Sequence, residues 1–250
     1  DTSPRYAGLL SWTNPEENFG LLVSAAYGSR FIREEGFSTV RFDDFGTFGS
    51  VGGVPCVGSP LPADCEAVRN SYYARIPRYG RLDYDVERLG LTASAQAQLT
   101  PQTLFSFDAL YSTFEGEREE EFLEVFVRSN TSGIDLTDFT ISPDGVLSRI
   151  VANLNPAGGG LVPARSEHRR DMLETEFKQF TGKLEHEFTD RLRGDVLAGT
   201  SESVLEIPVQ ATIFFDAANP VTGYTYDFAQ GMETPFIDFG SLDVTDPTSF

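Results

Sequence analysis

The chain has 250 residues and a net charge of −19, from 38 acidic and 19 basic side chains. Such an acidic exterior repels nucleic-acid phosphates, so no nucleic-acid partner is expected. No apolar run approaches the ~18–20 residues of a membrane-crossing helix, which excludes a helical membrane protein but not a β-barrel, whose strands need only about 9–11 alternating residues.

Phe (21) and Tyr (9) far outnumber Trp (1) and Met (2), and Gly (23) and Pro (14) are abundant. That balance suits an all-β chain. The opening DTSPRYAGLL has no basic segment followed by an apolar core, so an export signal would lie outside this chain. Both ends read as cut rather than finished.

Tyr6–Trp12 leads through Asn14-Pro15-Glu16-Glu17-Asn18 into a strand beginning at Phe19. There Phe19, Leu21, Val23, Ala25 and Tyr27 share one face, and Gly20, Ser24, Gly28 and Arg30 the other, with Leu22 and Ala26 as apolar exceptions, because successive strand residues point to opposite sides. From Phe19 to Phe31, at ~3.3 Å per residue and a ~45° tilt, the strand spans roughly 28 Å, close to a bilayer's hydrocarbon thickness.

Residues 43–78 read as a loop rich in Gly and Pro, and contain both cysteines in VPCVGSPLPADC. No histidine stands nearby to complete a metal site. A local disulfide between Cys56 and Cys65 closing a surface loop is the first reading, and two free thiols are the alternative. A disulfide implies an oxidising compartment.

A second hairpin is LGLTASAQAQLTPQTLFSFDALY, residues 89–111. Leu89, Leu91, Ala93, Ala95, Ala97 and Leu99 form an apolar face against Thr92, Ser94, Gln96 and Gln98. Phe105, Phe107, Ala109 and Tyr111 oppose Ser106, Asp108 and Ser112. A three-residue connection, Pro101-Gln102-Thr103, pairs Leu99 with Phe105 and Ala97 with Phe107, all on the apolar face. Charged extensions continue both strands, RLDYDVER at 81–88 and EGEREEE at 115–121. Their bland reading is a solvated edge.

Residues 129–168 again read as a loop. In the third hairpin Phe180, Gly182, Leu184 and Phe188 alternate with Thr181, Lys183, Glu185 and Glu187. A turn at Thr189-Asp190-Arg191 returns through Leu192, Gly194, Val196 and Ala198. Glu187 then faces Arg193, an opposite-charge pair, and Glu185 faces Asp195, a like-charge pair that requires a third partner. His186 is the one polar residue on the apolar face. Residues 215–250 read as irregular. Brief turns at one end of the strands and long excursions at the other match the asymmetry of outer-membrane barrels rather than compact soluble domains.

Catalytic signals are thin, and no enzyme is expected. His168 and His186 have no Ser or Cys at a nucleophile spacing, and the GGG at 158–160 is not followed by the Lys-Ser/Thr of a phosphate-binding loop. Asp43-Asp44 and Asp135, Asp138 and Asp144 are oxygen donors without EF-hand spacing, so turn capping and solvation are the simpler reading. No cofactor is expected.

The segments RIPRYGRLDYDVERLGLTASAQAQLTPQTLFSFDALYSTFEGEREEEFLE (75–124) and RSEHRRDMLETEFKQFTGKLEHEFTDRLRGDVLAGTS (165–201) resemble the barrel domain of TonB-dependent outer-membrane receptors. They are similar above all to the group found in sphingomonad and Caulobacter-type bacteria. The resemblance implies a 22-stranded barrel with an N-terminal plug, energised by the TonB-ExbB-ExbD system. The expected fold is therefore all-β: an antiparallel transmembrane barrel segment of about six long strands, with short periplasmic turns and long extracellular loops. Residues 1–250 form part of that barrel, with the plug and remaining strands absent.

The resemblance implies active import of a scarce small-molecule nutrient, such as a siderophore, vitamin or oligosaccharide, through the bacterial outer membrane, whose lipid is a further partner. Lumen-facing candidates are Ser94, Gln96, Gln98, Asp108, Lys183, Glu185, Glu187, Arg193 and Asp195. Ligand contacts fall in the three long loops. The alternatives are a passive porin-like channel and a secreted acidic β-sandwich binding module.

Overall fold

The computed structural model describes residues 3–155, 163–229, 231 and 235–250, so the glycine run at 158–160 lies outside them. Strands dominate. In chain order they are β1 (Arg5–Thr13), β2 (Phe19–Ser38), β3 (Phe42–Asp43), β4 (Ser50–Val51) and β5 (Val54–Pro55). A short helix, α1 (Ala63–Arg69), precedes β6 (Tyr73–Ala74), β7 (Arg78–Thr100) and β8 (Thr103–Val125). Then come β9 (Ile134–Ile141), β10 (Leu147–Leu154), β11 (Ala164–Thr189), β12 (Leu192–Asp216), β13 (Tyr224–Asp227) and β14 (Phe236–Asp238).

The three hairpins form one six-stranded sheet in the order β1-β2-β7-β8-β11-β12. Arg5 pairs with Gly28, and Thr13 with Gly20, in antiparallel register. The Asn14 amide carbonyl oxygen accepts from the backbone N–H groups of Asn18 and Phe19, at 3.0 and 2.9 Å, which locks the first turn. The second and third connections are two residues each, Pro101-Gln102 and Asp190-Arg191, rather than three, since Thr103 already belongs to β8 and Thr189 still belongs to β11. Ser94 meets Asp108, and Arg81 meets Glu121. Both contacts lie two residues from the expected pairing and keep every side chain on its expected face, because the side-chain period is two.

By contacts the chain divides into two units, each compact. The first comprises Asp1–Ile32, Asp83–Glu119 and Arg170–Ala211, the turn-proximal lengths of the long strands. Its large apolar side chains point outward: Leu10 is 75% exposed, Trp12 55%, Phe180 46% and Phe107 38%. The rings pair along that surface, Trp12 with Phe19 edge-on, and Tyr6 with Tyr27 and Phe107 with Phe180 stacked.

The second unit comprises Arg33–Leu82, Glu120–Arg169 and Thr212–Phe250. Here the three excursions expected to be irregular fold into a second six-stranded sheet, β14-β13-β10-β9-β4-β5, beside a β3-β6 pair. β4 runs parallel to β9, Ser50 beside Asp135 and Val51 beside Leu136. The clustered hydrophobic core lies in this unit, and Ile134, Leu136, Leu147, Ile150, Tyr224 and Tyr226 are fully enclosed. Each such side chain contributes about 1.5–3 kcal/mol of burial. Cys56 and Cys65 join this core as a disulfide, Cα to Cα 5.4 Å.

Candidate functional site

The polar face of the long-strand sheet carries the lumen-facing candidates. Ser24 and Thr92 hydroxyls share a hydrogen bond of 2.6 Å between β2 and β7, and the Ser94 hydroxyl donates to Asp108 on β8 at 2.5 Å. Five of the candidates, Gln98, Glu185, Glu187, Arg193 and Asp195, line one concavity of about 420 Å³ at the turn end, together with Gln102 and His186. Arg193 pairs with Glu187 at 2.6 Å across the third turn. Lys183 is the third partner that the Glu185–Asp195 pair requires: its ammonium lies 2.8 Å from Glu185 and also interacts with Asp195. The Gln98 amide is spent on the turn, donating to the Thr100 and Thr103 carbonyls. Gln96 has no side-chain partner among the described residues.

His186 finds a partner at the same end, its Nδ1 2.9 Å from the Thr103 hydroxyl, with the Phe188 ring edge-on at 4.6 Å. This explains how an imidazole sits in an otherwise apolar row.

Higher on the strands, charged groups of both signs also stand on the side that carries the apolar residues. Asp85, Glu87, Glu115, Glu117 and Glu174 share a small concavity on the side that carries the apolar residues. Arg170 pairs there with Glu117, and Tyr111 and Lys178 both reach Glu176.

In the second unit a larger concavity, about 620 Å³, is lined by Glu35, Tyr79, Arg81, Glu121, Phe122 and His168, among others. Arg81 is 3.1 Å from Glu121, and His168 Nδ1 is 3.8 Å from the other carboxylate oxygen. The sequence offered only charged strand extensions here. Their alternation, Arg81 and Glu121 on facing strands, is the one signal from which the pairing could have been read. Gly80 admits the Phe122 ring, whose Cδ1 lies 2.3 Å from where a Cβ would stand.

Beside this concavity, Glu124 is buried with Arg78 3.5 Å away. Burial pushes its carboxyl above the ordinary range, and the Glu167 charge adds to that. Asp138 behaves oppositely, held low by its hydrogen bond and ion pair with Arg149.

The acidic groups weighed as calcium donors do not converge. Asp43 pairs with Arg41 and Arg75, Asp135 accepts from the Ser50 hydroxyl and the Gly53 N–H, and Asp138 takes Arg149. Among the described residues no group of three or more His, Cys, Asp or Glu is placed to hold a metal ion.

No known family model matches this chain, and no curated protein matches it. The site therefore rests on its own geometry: a sheet with one face apolar and exposed and the other lined by ion pairs and hydroxyls, suited to holding polar solutes in water.

Proposed function

We propose that this chain is part of the barrel of a TonB-dependent outer-membrane importer for a small polar nutrient. One observation carries the reading. The first unit exposes a band of Leu, Val, Phe, Tyr and Trp side chains, while the hydrophobic core cluster lies in the second unit. A sheet in water would hide that band; a sheet in a bilayer requires it outward, with polar side chains turned to the interior.

Connectivity supports the same reading. The strands joined by turns at 14–18, 101–102 and 190–191 are elsewhere linked by segments 39–77 and 126–163, which contain folded structure of their own. Long folded connections between strands suit ligand capture outside the cell. The disulfide fits the oxidising exterior. No helix among the described residues is long and apolar enough to cross a membrane, so crossing would be by strands. The energising TonB-ExbB-ExbD system would act through a plug carried elsewhere in the protein.

The test is fractionation of cells producing the full-length protein, followed by uptake assays with and without a working TonB system. Detergent-dependent recovery from the outer membrane with TonB-dependent uptake supports the importer. Uptake indifferent to TonB indicates a passive channel. Recovery as a soluble periplasmic or secreted protein overturns both.

A further inference from the structure

We propose an oxyanion-binding site on the polar face, in which Arg5 and Arg88 flank Gly28. It rests on the importer reading and narrows its cargo to a ligand bearing phosphate or carboxylate groups. Arg5 pairs directly with Gly28. The β2–β7 register is fixed by Ser24 with Thr92, by Gln98 N–H donated to Asn18 C=O, and at the far end by Arg78 with Ser38. One unshifted register joins these three contacts and places Arg88 on the other side of Gly28. Two strand spacings therefore separate the arginine backbones, ~10 Å, a span that two bent guanidinium side chains can close around one oxyanion.

The surroundings favour an anion. Arg5, Gly28, Arg88, Gly90 and Phe114 line a concavity of about 590 Å³ that has no carboxylate in its wall. In a chain of net charge −19, neither arginine has an acidic partner among the described residues. Four carboxylates of β7 and β8 near this level, Asp85, Glu87, Glu115 and Glu117, occupy the alternate positions and line a different concavity. Arg88 lies over the Phe114 ring, 5.1 Å from its centroid, which steadies the guanidinium without neutralising it. A Cβ at Gly90 would meet open space, and one at Gly28 only the Arg5 side chain, so the floor is clear for a ligand. Planar guanidinium forks suit the paired oxygens of phosphate and carboxylate.

The test is isothermal titration of the purified full-length protein in detergent at low ionic strength, with pyrophosphate in one arm and citrate in the other. Saturable binding of at least one is expected, and the arms distinguish phosphate from carboxylate recognition. Arg5→Gln and Arg88→Gln should each weaken it about tenfold or more. Gly90→Leu, whose Cβ meets open space and whose longer side chain fills the floor, should abolish it, while Arg30→Gln, which removes a cation on β2 outside the concavity, should leave it unchanged. Absence of saturable binding to either probe overturns the site, as does affinity untouched by Arg88→Gln or Gly90→Leu. Loss with Arg30→Gln equal to that with Arg88→Gln overturns it too, because diffuse charge would then suffice. Fractionation is read separately: a protein in the outer membrane that binds neither anion removes this site and leaves import standing.

Discussion

Arg193 reaches back across the third turn to Glu187, its guanidinium 2.6 Å from the carboxylate. Two residues further along, Lys183 lies 2.8 Å from Glu185 and is close enough to Asp195 to interact with it. The polar face is thus stitched in alternating signs, and it remains wet: the Arg193 side chain is 80% exposed. Exposed pairs contribute only about 0–1 kcal/mol. Exchanging the charges, Glu187→Arg with Arg193→Glu, should restore whatever either single change loses, as a double-mutant cycle of heat stability would measure.

The faces of the sheet should differ sharply in tolerance. Phe107→Arg places a charge in the exposed apolar band and should cost about 2–4 kcal/mol of stability in lipid. Gln96→Arg, one strand over on the polar face, should assemble normally. Heat-modifiable migration of the membrane-extracted protein reports both.

Reduction should loosen the second unit. The Cys56–Cys65 bond closes a short ring inside the buried cluster, and a ring of this size contributes about 2–3 kcal/mol by restricting the unfolded chain. Replacing both cysteines with serine should lower the melting temperature and remove its dependence on reductant.

Acid stability should carry two opposite contributions. The folded Glu124 carboxyl titrates above its unfolded value, so its contribution is fully present below the ordinary carboxylate pKa and is lost as pH rises through the elevated one. Asp138 titrates below its unfolded value, so its contribution is present above the ordinary pKa and fades as pH falls through the depressed one. Glu124→Gln should therefore flatten the decline on the rising side alone, in melting curves taken from pH 3 to 8.

Glycine substitutions should separate by neighbour. A Cβ at Gly49 would stand 2.1 Å from the Ser132 carbonyl oxygen, whereas one at Gly36 meets nothing within 4 Å. Gly49→Ala should destabilise by about 1–3 kcal/mol or more, and Gly36→Ala should be neutral or slightly stabilising. Chemical denaturation of the two variants compares them directly.

The six long strands were legible in the sequence because each presents a simple period of two, and a short turn fixes its neighbour. The second sheet was not. Ile134, Asp135 and Leu136 are all buried, which erases alternation. In β10 the buried Leu147 and Ile150 change phase across a register shift between Leu147 and Arg149. The partners are also remote: β4 meets β9 in parallel and β13 meets β10, pairings that no local turn announces. The same holds for the candidate sites. The ion pair beside the third turn followed from register, whereas Arg5 and Arg88 come together only once the first hairpin is laid against β7.

The two faces of β7 should meet different solvents. Single cysteines placed at Ser94, Ala95, Gln96, Ala97 and Gln98 of the full-length protein, in intact outer membranes, would be labelled with a membrane-impermeant thiol reagent and with a lipid-dissolved one. Strict alternation is expected, with positions 94, 96 and 98 labelled from water and 95 and 97 from lipid. Uniform labelling from water at all five positions would contradict it.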